Sequence, residues 1–140
     1  MTTAQKQDYS VWLKDSGFTH TATIRSIYPL TQSKMDKYIN RIISKNKNID
    51  SIYSVIEPDR DPYSKAQDIT ESYRTTSSST GNHAHLLIKW KRPQAELIPR
   101  YYLNNLPYTI PYYETIDDID AITKYIVKHQ TPNNYNFFIG

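Results

Sequence analysis

The sequence predicts an α+β domain in which an antiparallel sheet carries helices mainly on one face. Two stretches, 18–28 and 83–90, place residues alternately on two faces with the period of a strand packed against a core. Two others, 31–45 and 117–130, repeat apolar residues at helical spacing. The segments follow one another as strand, helix, strand, loop, strand, helix, strand, helix, so one pair of strands is joined without a helix, as antiparallel neighbours are.

FTHTATIRSIY at 18–28 opens the sheet, with Phe18, His20, Ala22 and Ile24 on one face and Thr19, Thr21, Thr23 and Arg25 on the other. Thr31 can cap the next helix. In it Met35, Tyr38, Ile39, Ile42 and Ile43 fall at i, i+3, i+4, i+7 and i+8, while Lys34, Lys37, Arg41 and Lys45 lie elsewhere around it. SIYSVIE at 51–57 reads as a short strand ending on Glu57. From 58 to 82 the chain is polar and closes on TTSSSTGN, and a flexible loop of about 25 residues there predicts either disorder or a functional flap. HAHLLIKW at 83–90 is the second strong strand, with Ala84, Leu86, Ile88 and Trp90 sharing one face and His83, His85 and Leu87 the other. AELIPRYYLNN at 95–105 has helical character, but Pro99 forbids an uninterrupted helix, so one begins or breaks there. PYTIPYYETI carries strand formers and two prolines, which suits an edge or bent strand. DDIDAITKYIVKHQ forms the last helix, with acidic residues in its first turn, Lys128 and His129 in its last, and an apolar stripe of Ile119, Ile122 and Ile126.

With 140 residues, 38% of them hydrophobic, the chain supports one domain, spanning 1–140, with a single modest core. No apolar stretch approaches the roughly 20 residues of a membrane span, and MTTAQKQDYS lacks the regions of a signal peptide, so an intracellular protein is expected. A net charge of +3 fits a polyanionic partner only weakly. The 13 tyrosines offer faces on which unpaired bases can stack, although tyrosine is also common in half-buried strands.

On a strand, residues i and i+2 leave the same face about 6.5 Å apart. His83 and His85 can therefore converge on one ion while small Ala84 faces the core. The chain has no cysteine, so any metal must be held by nitrogen and oxygen. A carboxylate would complete a facial set with open positions. Glu57 is the natural candidate, because an antiparallel pairing of its strand with the histidine strand brings it beside His83. On the last helix Tyr125 and Lys128, three residues apart, can both face a site beside the sheet. A phenol with a pKa of about 10 needs a nearby cation to attack well, and a lysine one turn away can orient or neutralise a phosphate. Each residue also has an ordinary reading: a chance His-x-His, a solvated strand-end carboxylate, a core-edge tyrosine, a solvated lysine.

In this order the elements resemble the HUH endonucleases, specifically the replication initiators (Rep) of small circular single-stranded viruses and rolling-circle plasmids. FTHTAT at 18–23 is similar to the family's first motif, HAHLLI at 83–88 to its second, and YIVK at 125–128 to its third, Tyr-x-x-Lys on a helix. Together they run from residue 18 to 128, nearly all of the chain, and are far more specific jointly than singly. His20 departs from the pattern, which has an apolar residue there.

The resemblance implies an RRM-like sheet of about five antiparallel strands. It implies a divalent ion, Mn²⁺ or Mg²⁺, held by His83, His85 and a strand-end carboxylate, here Glu57. Tyr125 would attack the scissile phosphate of single-stranded DNA, stay linked to the 5′ end and free a 3′ hydroxyl, with Lys128 positioning or stabilising it. Ala121 and His129 stand one turn from Tyr125, so this is similar to the single-tyrosine class. Thr19, Thr21, Thr23, Arg25 and Lys124 are the candidate DNA contacts. The DNA partner would be an origin or stem-loop, and a host or viral helicase and polymerase would act with the protein, since no G-x-x-x-x-G-K-[ST] motif is present. The setting would be the cytoplasm of a prokaryotic host, or the nucleus for a eukaryotic virus. Alternatives remain a single-tyrosine transposase of the same superfamily, a metal-dependent hydrolase without a covalent intermediate, and a non-catalytic RRM-like module binding single strands.

Overall fold

A computed structural model describes residues 1–57, 81–92 and 108–139. Among these residues the chain runs α1 (Thr3–Asp15), β1 (His20–Leu30), α2 (Gln32–Lys45), β2 (Ile49–Glu57), β3 (Gly81–Trp90), β4 (Tyr108–Thr115), α3 (Ile119–Lys128) and β5 (Tyr135–Ile139). The strands form one five-stranded sheet in the order β4-β1-β3-β2-β5, every neighbouring pair antiparallel. The β1–α2–β2 unit crosses over with β3 inserted between its strands, and with β4 beside β1 this is an RRM-like plan extended by β5. The helix expected at 95–105 lies outside the described residues, as does most of the loop expected at 58–82. Gly81 and Asn82, assigned to that loop, instead begin β3.

The two-residue alternation of β1 and β3 sorts their side chains between two layers. On one face Ala22, Ile24, Ala84, Leu86, Ile88 and Trp90 join Ile52 and Ile56 under the Met35, Tyr38, Ile39 and Ile42 stripe of α2. On the other, Tyr53, Val55 and Leu87 pack against Leu13 of α1 and Ile126 and Val127 of α3. Two helices therefore share one face and α2 covers the other. Burial on both sides of β2 explains why the apolar residues Ile52, Tyr53, Val55 and Ile56 do not alternate with polar ones. Leu86, fully buried at the centre of the sheet, illustrates the cost of a void there: Leu86→Ala is expected to lose about 2–5 kcal/mol in urea unfolding. A loss under about 1 kcal/mol would contradict a close-packed layer at that position.

Caps and turns fix the ends. Thr31 accepts the Lys34 backbone N–H at 3.2 Å to start α2, and Asp118 accepts that of Ala121 at 3.0 Å to start α3. Gly17, at φ 84°, takes the left-handed position after α1 and turns the chain into β1. That turn leaves Phe18 before the strand, packed with Leu13 and Leu87 in the opposite layer from Ala22 and Ile24. The alternation had grouped all four, and the strand's later start at His20 is the reason for the difference. His20 is buried at 2% exposure, stacked on Tyr113 at 5.2 Å, with Nδ1 hydrogen-bonded to the Thr19 hydroxyl at 2.8 Å. β4 lies at the sheet edge, where Pro111 is tolerated. Thr23 pairs with Tyr112 and Arg25 with Thr109, so Ile110 and Pro111 together oppose Ile24 in a bulge, a position that tolerates the missing N–H of a proline. No described helix is long and apolar enough to cross a membrane.

Candidate metal centre

The antiparallel β2–β3 register places Glu57 opposite His83 and Val55 opposite His85. Alternation then puts all three polar side chains on the face that carries α1 and α3, with Ala84 turned into the α2 layer. His83 Nε2 lies 3.4 Å from Glu57 Oε2, and His85 Nε2 contacts the same oxygen. One donor atom from each residue lies within 4.8 Å of the other two, and all three side chains are under one-fifth exposed. Two imidazole nitrogens and one carboxylate oxygen so arranged can hold a divalent cation and leave coordination positions open.

Across this triad lies the last turn of α3. The Tyr125 hydroxyl donates to Glu57 at 3.3 Å and 3.4 Å to the two carboxylate oxygens, and its ring meets His85 edge-on at 5.2 Å. His129, the residue capping α3, brings Nε2 to 3.4 Å from Glu57 Oε1, with its ring 5.3 Å from that of Tyr125. A single carboxylate therefore gathers three histidines and the tyrosine. Burial alone would raise the Glu57 carboxyl, but the hydrogen bonds of His83 and His85 and the charges of His85 and His129 outweigh it. The net effect holds Glu57 well below the usual carboxylate range, ionised and ready for a cation. The C-terminal end of α3, the negative end of its helix dipole, faces the same place.

Other residues keep α3 in position. Asn134, fully buried, donates from Nδ2 to Ile56 O at 2.9 Å and to His129 O at 2.8 Å, tying the helix end to the strand residue before Glu57. From the other side α1 braces the helix through Lys6 Nζ on Lys128 O at 2.8 Å, Ser10 on Thr123 at 3.4 Å and Lys14 with Asp120 at 3.5 Å.

Glu57, His83, His85 and Tyr125, all singled out in the sequence, thus come together. Lys128 does not join them: its side chain is exposed, and among the described residues its ammonium makes no ion pair. Thr23 pairs with His85 and Arg25 with His83 across β1–β3, so these two lie along the rim of the triad. Thr21 is buried with its hydroxyl on Leu86 O at 3.2 Å, and Thr19 is bonded to His20 and to Ile88 O. Lys124 is exposed and pairs with Asp120 at 2.9 Å. Two participants were missed. The signal for His129 was present, since it stands four residues after Tyr125 and so on the same helix face. Nothing in the sequence sets Asn134 apart from Asn133, its neighbour in the turn before β5.

No protein-family model, curated protein or solved structure matches the chain.

Proposed function

We propose that the protein is a metal-dependent nickase and joiner of single-stranded DNA, a replication initiator of the HUH endonuclease kind. The observation that carries this reading is the Tyr125 hydroxyl, 3.3 Å from the carboxylate that completes the His83–His85–Glu57 donor set. The donor set suits Mn²⁺ or Mg²⁺, with imidazole favouring manganese, and such an ion supplies charge that orients the phosphate and stabilises its developing negative oxygens.

The chain's own residues do the rest. Glu57 holds the phenol by its O–H, and the edge-on ring of His85 fixes its plane. Tyr125 Oη forms a bond to phosphorus while the bond to the 3′ oxygen breaks; the phenol proton leaves to solvent and the 3′ oxygen takes one up. Reversal by a later 3′ hydroxyl rejoins the strand. Arg25, at the exposed rim, offers a cation to the flanking phosphate. Lys128 would act on bound DNA from the outer side of α3. The replicative setting, a host or viral helicase and polymerase beside a single-stranded origin, belongs to the same proposal, in the cytoplasm or nucleus of the host. An RRM-like module that stacks bases on an open sheet is disfavoured by helices on both faces of the sheet.

The test is incubation with a randomised, end-labelled single-stranded pool and Mn²⁺ or Mg²⁺, followed by a denaturing gel. A protein–DNA adduct is expected; none in either metal overturns the nickase reading. His129 bears on metal binding itself. His129→Ala removes a partner of the Glu57 carboxylate and is expected to weaken Mn²⁺ binding about 10- to 100-fold by calorimetric titration.

A further inference from the structure

Beside the triad, on the same face of the sheet, a cavity of about 390 Å³ opens between β4 and the start of α3. Tyr125 forms one wall, and Tyr112 and Ile122 supply further apolar surface. Its polar lining includes Glu114, Asp117 and Asp118, with no lysine or arginine among the lining residues. Tyr112 pairs across the sheet with Thr23, which pairs with His85. At about 4.8 Å per strand, the cavity wall is therefore about 10 Å from the histidine.

We propose that this cavity receives the base of a nucleotide next to the scissile phosphate and prefers guanine. The proposal rests on the nickase reading, because that reading puts a single strand over Tyr125. Three carboxylates, Glu114, Asp117 and Asp118, disfavour phosphate, so the fitting occupant presents hydrogen-bond donors and little negative charge. Asp118 already caps α3 through Ala121. Glu114 accepts the Tyr112 hydroxyl at 2.7 Å through Oε2, and a carboxylate has about four lone-pair sites, so it can accept more. The Watson–Crick edge of guanine offers two adjacent donors, N1–H and the 2-amino group, in the parallel arrangement that a carboxylate accepts. Cytosine and adenine set one amino group beside an acceptor, and thymine sets its N–H between two carbonyls, so each meets Glu114 less well. Tyr112, 43% exposed, and the ring of Tyr125 provide faces for stacking.

Two measurements test this. The first compares binding, in the presence of EDTA, of a short oligothymidine, the same strand with one guanine, and the same strand with hypoxanthine, which lacks the 2-amino group. Guanine is expected to bind about tenfold more tightly than thymine, hypoxanthine to fall between, and E114Q to abolish the difference. Equal affinities for the three strands, or a guanine preference that survives E114Q, overturns the proposal. The second reads the strands trapped on the protein from the randomised pool. Guanine at one fixed position beside the phosphotyrosine supports the cavity assignment, and an even base distribution at the flanking positions overturns it. If no adduct forms while the guanine preference is present and lost in E114Q, the cavity assignment stands and the nickase reading alone fails.

Discussion

Tyr125→Phe is expected to remove all covalent DNA adduct, lowering cleavage by roughly a thousandfold or more, because no other group can replace an absent nucleophilic oxygen. Fold and metal binding are expected to survive. Tyr125 is 42% exposed and its ring stays, so the thermal midpoint moves little, and the three candidate donor atoms belong to other residues. Denaturing gels of wild type and variant, beside a thermal melt, make the comparison. Adduct formed by the variant at the wild-type rate would transfer the nucleophile to another tyrosine.

The second large effect concerns the ligands. His85→Ala is expected to weaken Mn²⁺ binding by about a hundredfold or more, and to abolish nicking with it, since one of three donors and the closest partner of Glu57 are lost together. His20 is the internal control. It is also a histidine on a core strand, but it sits in the layer under α2, enclosed by Thr19, Tyr113 and Trp90. His20→Ala is expected to cost about 1–3 kcal/mol of stability while Mn²⁺ affinity is retained. Titration calorimetry and urea unfolding of the two variants separate the roles, and loss of metal binding in both would mean that the centre depends on general packing rather than on its own donors. Acid sensitivity follows from Glu57. Its ordinary pKa of 4.5 is depressed on folding, so its contribution to stability is complete above about pH 4.5 and is lost only as pH falls through the lower folded value.

What could be read in advance follows the geometry of burial. β1, α2, β3 and α3 each present a core on a recognisable period, and the β2–β3 pairing alone was enough to bring Glu57 to His83. α1 has no such stripe: only Ser10 and Leu13 are buried, while Val11 and Trp12 stay 54% and 42% exposed. It is held by a capping box at Thr2 and Gln5 and by polar contacts to α3, and neither has a periodic signature. β5 is five residues long and draws its identity from pairing with β2, a tertiary fact. His129 was visible by spacing but was assigned to the helix dipole, and the carboxylate it faces comes from a residue 72 positions earlier, beyond any local pattern. Lys128 shows the reverse, a motif position whose side chain stands outside the cluster.

The brace from Lys6 to Lys128 spans 122 residues of sequence, and it holds the helix that carries Tyr125. Glu57, His83 and His85 precede that helix in the sequence, so a growing chain acquires its candidate metal donors first and its candidate nucleophile last. The two are held in register by α1 on one side of the helix and by Asn134 on the other. On the proposed reading, cleavage competence would therefore be a property of the finished fold: partly made or clipped chains would hold the metal donors without the tyrosine that cuts.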